Sequence, residues 1–153
     1  QWNSRFWEQK ALLCLSDHQK RNNRRSGSDF LTDALAHARH AVSIERHPFP
    51  MNTLGKVLTA KLEIDGEDKK ALFDEAFSLF SEAIREEAWR SRVSIYPFLG
   101  GLRLTERFLD LGFSLTDRQK ATLLDHCAAA SAKFPRDNEI VRSVTTTRMR
   151  LAS

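Results

Sequence analysis

"HPFPMNTLGKVL" (47–58) decides how this chain is read. Two prolines shortly before a glycine ought to break local structure. Yet Met51, Leu54, Val57 and Leu58 recur at the spacing of one helix face. An interior glycine costs a helix about 1 kcal/mol against alanine. Close packing of this helix on a neighbour is the return expected for Gly55. The pattern predicts a helix that begins after Pro50 and runs to about residue 64, stopped by Gly66.

Helical periodicity extends outward from this stretch in both directions, and strand signals are almost absent. Seven helices are predicted. The first covers about 3–22, with Phe6 and Leu13 inward, and the second about 29–46, capped by Ser28 or Asp29. The fourth covers about 68–89, capped by Asp65 or Asp68. The fifth starts near Ser94, tolerates Pro97 in its first turn and ends before Gly112. Thr116 and Gln119 have capping-box spacing at the start of the sixth, which ends before Pro135. The seventh covers about 137–151; its run Thr145-Thr146-Thr147 is poor helix material, so it must depend on packing. Short loops make neighbouring helices antiparallel.

The glycine motif recurs. "MNTLGKVL" (51–58) aligns with "YPFLGGLR" (96–103) and "WEQKALLC" (7–14), which superposes Gly55, Gly100 and Ala11 at spacings of 44 and 45 residues. Each copy is followed by a trio spaced four and three apart: Ala34, Ala38, Ala41; Ala76, Phe80, Ala83; Leu123, Cys127, Ala130. A two-part pattern at near-constant period is a repeat signal. It resembles the tetratricopeptide repeat: a bulky residue, Leu-Gly, then alanines around an aromatic or small residue, then the proline supplied here by Pro135. The period of about 45 exceeds the usual 34 or so, and Lys10 and Arg103 stand where apolar residues are expected. HEAT-type repeats, with periods of about 40–47, are the competing label. The resemblance implies one domain over 1–153: an all-α, stacked set of antiparallel helix hairpins (an α-solenoid) with repeats at about 5–46, 49–89 and 94–135 and a capping helix at 137–151. "AVSIERHPFPMNTLGKVL" (41–58) further resembles helical segments that follow effector domains in large bacterial regulatory and anti-phage proteins of the STAND type. With Gln1 as first residue, it suggests a segment of a longer chain.

The totals suit such a domain. A chain of 153 residues, 41% apolar and 29% charged, can build one core. A net charge of +4 permits an acidic partner or nucleic acid without demanding either. Cys14 and Cys127 lie among apolar residues at helical spacing, which predicts core positions in an intracellular, cytoplasmic protein. No apolar run approaches the roughly 18 residues of a membrane span.

Chemistry-bearing motifs are weak. His37 and His40 share a helix face, but a zinc site would need further ligands from elsewhere; surface histidines beside Arg39 and Arg46 are the blander reading. His126 and Cys127 are adjacent and point apart on a helix. Phosphate loops are missing, and "IDGED" (64–68) reads as a capped turn. No catalytic residues, cofactor or metal are expected. Lys20, Arg21, Arg24 and Arg25 form a basic run, and Arg136, Arg142, Arg148 and Arg150 a second group; phosphate contact is the functional alternative to a solvated surface.

In a stack of hairpins the first helix of each lines one face. The outward positions implied by the tetratricopeptide pattern are Glu8, Leu12 and Leu15; Asn52, Lys56 and Thr59; and Pro97, Gly101 and Leu104. The expected function is non-catalytic recognition of a protein or peptide by that face, within a larger regulatory protein. The alternative is a nucleic-acid-binding helical domain.

Overall fold

His47 begins the central helix. Its backbone is extended (φ −127°, ψ 150°), and its Nδ1 accepts a hydrogen bond from the Phe49 amide at 3.3 Å. In this computed structural model, which describes residues 3–20, 27–64, 66–87 and 94–153, both Pro48 and Pro50 therefore lie in the first turn. The helix starts three residues before the expected first residue, Met51. First-turn amides have no intrahelical partner, so prolines lose nothing there.

Seven helices are found among the described residues: α1 (Ser4–Lys20), α2 (Gly27–Ile44), α3 (Pro48–Lys61), α4 (Lys69–Glu87), α5 (Tyr96–Asp110), α6 (Asp117–Lys133) and α7 (Asn138–Ala152). No strand occurs among these residues. Helix starts follow local chemistry. Asp68 Oδ1 accepts from the Ala71 amide at 3.1 Å and opens α4; the other cap expected there, Asp65, lies outside the described residues. Thr116 and Gln119 close the capping box of α6, and Asp137 caps α7. Ser28 and Asp29 fall inside the first turn of α2 rather than before it, since the helix already begins at Gly27. The fifth helix starts at Tyr96, with Ser94 Oγ accepting from the Tyr96 amide at 3.2 Å. Helix ends are equally local. Gly112 takes φ +90° after α5, where the Phe113 amide reaches back to the Phe108 carbonyl. After α3, Lys69 Nζ donates to the carbonyls of Leu62 and Ile64, which the helix cannot satisfy itself.

The helices stack as antiparallel hairpins in two layers. The first helices α1, α3, α5 and α7 touch in that order, while α2, α4 and α6 lie behind them. Arg39–Glu75 (2.9 Å) ties α2 to α4, Arg46–Glu82 (2.7 Å) ties the loop after α2 to α4, and Gln119 Nε2 donates to Asp74 at 2.8 Å between α6 and α4. Thr53 Oγ1 donates to Glu8 at 3.0 Å between α3 and α1. The contact of α1 with α2 is the most extensive, and that of α5 with α6 the slightest. The third hairpin is instead closed by α7, which packs on both α5 and α6 through Ile140 and Val144.

All nine trio positions are buried: Ala34, Ala38, Ala41; Ala76, Phe80, Ala83; Leu123, Cys127 and Ala130. Gly55 and Gly100 now have their reason. A Cβ on Gly55 would stand 2.5 Å from Phe80 Cζ, and one on Gly100 would strike the same ring, with Cζ at 2.7 Å. One aromatic side chain of α4 is thus pressed against the glycines of two successive first helices. Cys14, half-buried, borders this core.

Some expectations about faces fail. Leu13 is 67% exposed, because α1 turns Ser4, Ala11, Leu15 and His18 inward, a stripe that leaves position 13 on the far side. Phe6 is half-buried. Tyr96, aligned with the buried Met51, is 57% exposed, since Phe98 and Leu99 occupy the core there. The other departures are accommodated at the surface. Lys10 Nζ lies 5.2 Å from the Trp7 ring, and Arg103 pairs with Glu139.

Candidate functional site

The stacking of first helices creates a groove of about 360 Å3 across α1, α3 and α5. Leu15, Phe80 and Leu99 are its buried lining, extended by the half-buried Leu12, Ala60 and Gly100. Gln19, Lys56, Tyr96, Arg103 and Arg107 are its exposed border, with Thr59 between. The room left by the missing side chain at Gly100 is taken by the Phe80 ring, which itself forms part of the groove's lining. Thr59 spends its hydroxyl proton within α3, donating to the Gly55 carbonyl at 2.7 Å.

Four of the nine outward positions meet here: Leu12, Leu15, Lys56 and Thr59. Five do not. Leu104 and Pro97 are buried, and so is Gly101, where an added Cβ would come within 3.6 Å of Phe80 Cβ. Leu15, although it lines the groove, is itself only 5% exposed. Two of the three expected positions on α1 and two of the three on α3 reach the groove, whereas on α5 none does: the face of α5 that lines it carries Tyr96, Leu99, Gly100, Arg103 and Arg107 instead. Asn52 is 8% exposed, and its Oδ1 is buried without a hydrogen-bond partner among the described residues. It is therefore not an outward position, unlike the exposed Lys56 one turn later on α3. Glu8 belongs to a separate hollow of about 510 Å3 with Ser4, Arg5, Glu45, His47 and Phe49. The two carboxylates of that hollow are already held, Glu8 by Thr53 and Glu45 by Ser4 Oγ at 2.8 Å.

Arg103, Arg107, Tyr96 and Gln19 were not among the expected positions. The signal for the first was visible: an arginine breaks the apolar pattern of the third copy. Arg107 follows one turn later on the same face. Their guanidinium groups pair with Glu139 and Glu63. Lys56 Nζ lies 5.6 Å from the Tyr96 ring centroid.

The other candidates resolve differently. His37 and His40 flank the Trp7 ring at 5.5 and 4.6 Å. Among the described residues no group of three or more His, Cys, Asp or Glu side chains is placed to hold a metal ion. Burial pushes the Cys127 thiol up, with Arg148 opposing; burial, Asp33 and Asp17 do the same for Cys14, with Lys10 opposing. Raised thiols are poor nucleophiles. Of the basic run, Lys20 is exposed at the end of α1, whereas Arg21, Arg24 and Arg25 lie outside the described residues. In the second group Arg150 is engaged by Asp110 at 2.6 Å, and Arg136, Arg142 and Arg148 are exposed. No helix among the described residues is long and apolar enough to cross a membrane.

His126 offers a pH handle on α6. Burial, with help from Arg85, lowers its pKa below the ordinary 6.5, and Asp125 opposes. Its ring lies 6.1 Å from that of Phe77. The unfolded chain therefore takes up this proton first as pH falls. The neutral histidine's contribution is complete well above pH 6.5 and is lost progressively as pH drops below it. Urea unfolding at pH 7.5 and 5.5 should show that His126→Gln loses less stability on acidification than wild type; equal losses would assign the effect to other groups.

Comparison of the chain with protein-family models, with curated proteins and with solved structures returns no match. The groove's own chemistry is therefore the basis for a functional assignment.

Proposed function

We propose that this chain is a non-catalytic recognition module, of tetratricopeptide-like type, that holds a segment of another protein in the groove across α1, α3 and α5. The observation that carries this is the groove itself. Three successive first helices present a largely apolar lining bordered by exposed polar side chains. Pre-formed apolar clefts with a few polar groups at their edges are the usual form of a binding site. A role as the sensor or regulatory part of a larger cytoplasmic protein fits both the repeat architecture and the two unbridged cysteines.

A photo-crosslinking residue placed at Leu12, compared with one at the exposed Asp125 on α6, tests the assignment in source cells. A discrete protein adduct is expected at Leu12 and not at Asp125. Equal adducts at both positions, or none at Leu12, would remove the groove as the recognition surface. Adducts that disappear on nuclease treatment would move the function to nucleic acid and the basic clusters.

A further inference from the structure

The groove is lined by three cationic side chains, Lys56, Arg103 and Arg107, and by no carboxylate. This bias is local, since the chain carries 20 acidic residues against 24 lysines and arginines. Apart from the cations and the neutral polar Gln19 and Thr59, the lining is aliphatic or aromatic, with Leu12, Leu15, Phe80 and Leu99 among it. We propose that the occupant of this groove is an acidic protein segment that inserts a bulky apolar side chain between Lys56 on α3 and Arg103 and Arg107 on α5; this rests on the groove being the recognition surface.

The present partners of the two arginines do not oppose it. Arg103–Glu139 and Arg107–Glu63 are exposed pairs, about half accessible on both sides. Such pairs are weak, and a guanidinium has five donors, so a second carboxylate can be accepted or the first exchanged. Arginines one helical turn apart match carboxylates spaced along an extended or helical segment. Single-stranded nucleic acid would supply anions too, but its bases need free aromatic platforms. The exposed ring bordering the groove, Tyr96, already has Lys56 close to it.

Panning a random peptide library on the full chain provides the test, with a fluorescent oligothymidylate as the second probe. The enriched peptides should combine Asp or Glu with Leu, Phe or Trp. A synthesised winner should bind roughly tenfold or more weakly to the Arg103→Glu/Arg107→Glu variant, and should weaken as salt rises. The same peptide with its acids changed to lysine should regain affinity for that variant, which also shows the variant to be folded. Neutral or basic winners that are blocked by Leu12→Arg, yet indifferent to the charge reversal, would overturn the acidic occupant and leave the groove assignment standing. Winners indifferent to both changes, or no enrichment, would overturn the two together. Oligothymidylate binding that is lost on charge reversal, without peptide binding, would replace the acidic segment by nucleic acid.

Discussion

Phe80→Ala is expected to lower the stability of this chain by about 3–5 kcal/mol, the range for deleting a fully buried aromatic ring. Phe80 is 1% exposed and lies where α3, α4 and α5 meet. Its loss leaves a cavity that the two neighbouring first helices cannot collapse into without moving as units. The sharper test is a cycle with the glycines. In the wild-type background Gly55→Ala or Gly100→Ala forces the ring aside, and overpacking of this kind costs typically 1–3 kcal/mol. Alanine returns only about 1 kcal/mol in helix propensity, so the net effect is destabilising. In the Phe80→Ala background the obstruction is gone and the same changes should become stabilising. Urea unfolding of the single and double variants measures the coupling directly. Strictly additive effects would mean that the ring and the glycines do not depend on one another.

Val144→Asp should unmoor α6 while leaving α1 and α2 intact. Val144 is 3% exposed on α7, and α7 supplies much of what holds α6, whose contact with α5 is slight. A carboxylate placed there has no designed partner, and burying it unpaired costs several kcal/mol or forces its protonation. Stacked repeats couple chiefly to their neighbours, so damage at one end need not reach the other. Amide hydrogen exchange should therefore accelerate across α6 and α7, with protection retained in α1 and α2. Uniform acceleration along the chain would instead show that all seven helices melt as one unit.

The helices and their order were legible because each depends on nearby residues. Thr116 with Gln119, Asp68, Asp137 and Gly112 act within a few positions of themselves. The trio positions were legible because residues four and three apart share one helix face, and apolar residues recurring at that spacing mark the face that is buried. Exposure on α1 and α5 was not. It depends on how far each helix rotates against its neighbours, which local spacing does not encode; hence Leu13 lies outside and Leu104 inside. The groove was half legible for the same reason. Lys56 and Thr59, on the best-patterned helix, were found, whereas Arg107 required knowing that α5 turns that face toward α3.

The contact of Phe80 with Gly55 and Gly100 also bears on how this chain can change over time. Three positions, spread over 46 residues of sequence, share one volume. A larger residue at either glycine is tolerable only after the ring has shrunk, and a smaller residue at 80 invites a side chain at 55 or 100. In descendants and relatives of this sequence the three sites should vary jointly, with a small residue at 80 accompanying side chains at the other two. Such covariation would identify which helix of an unfamiliar repeat is wedged between which pair.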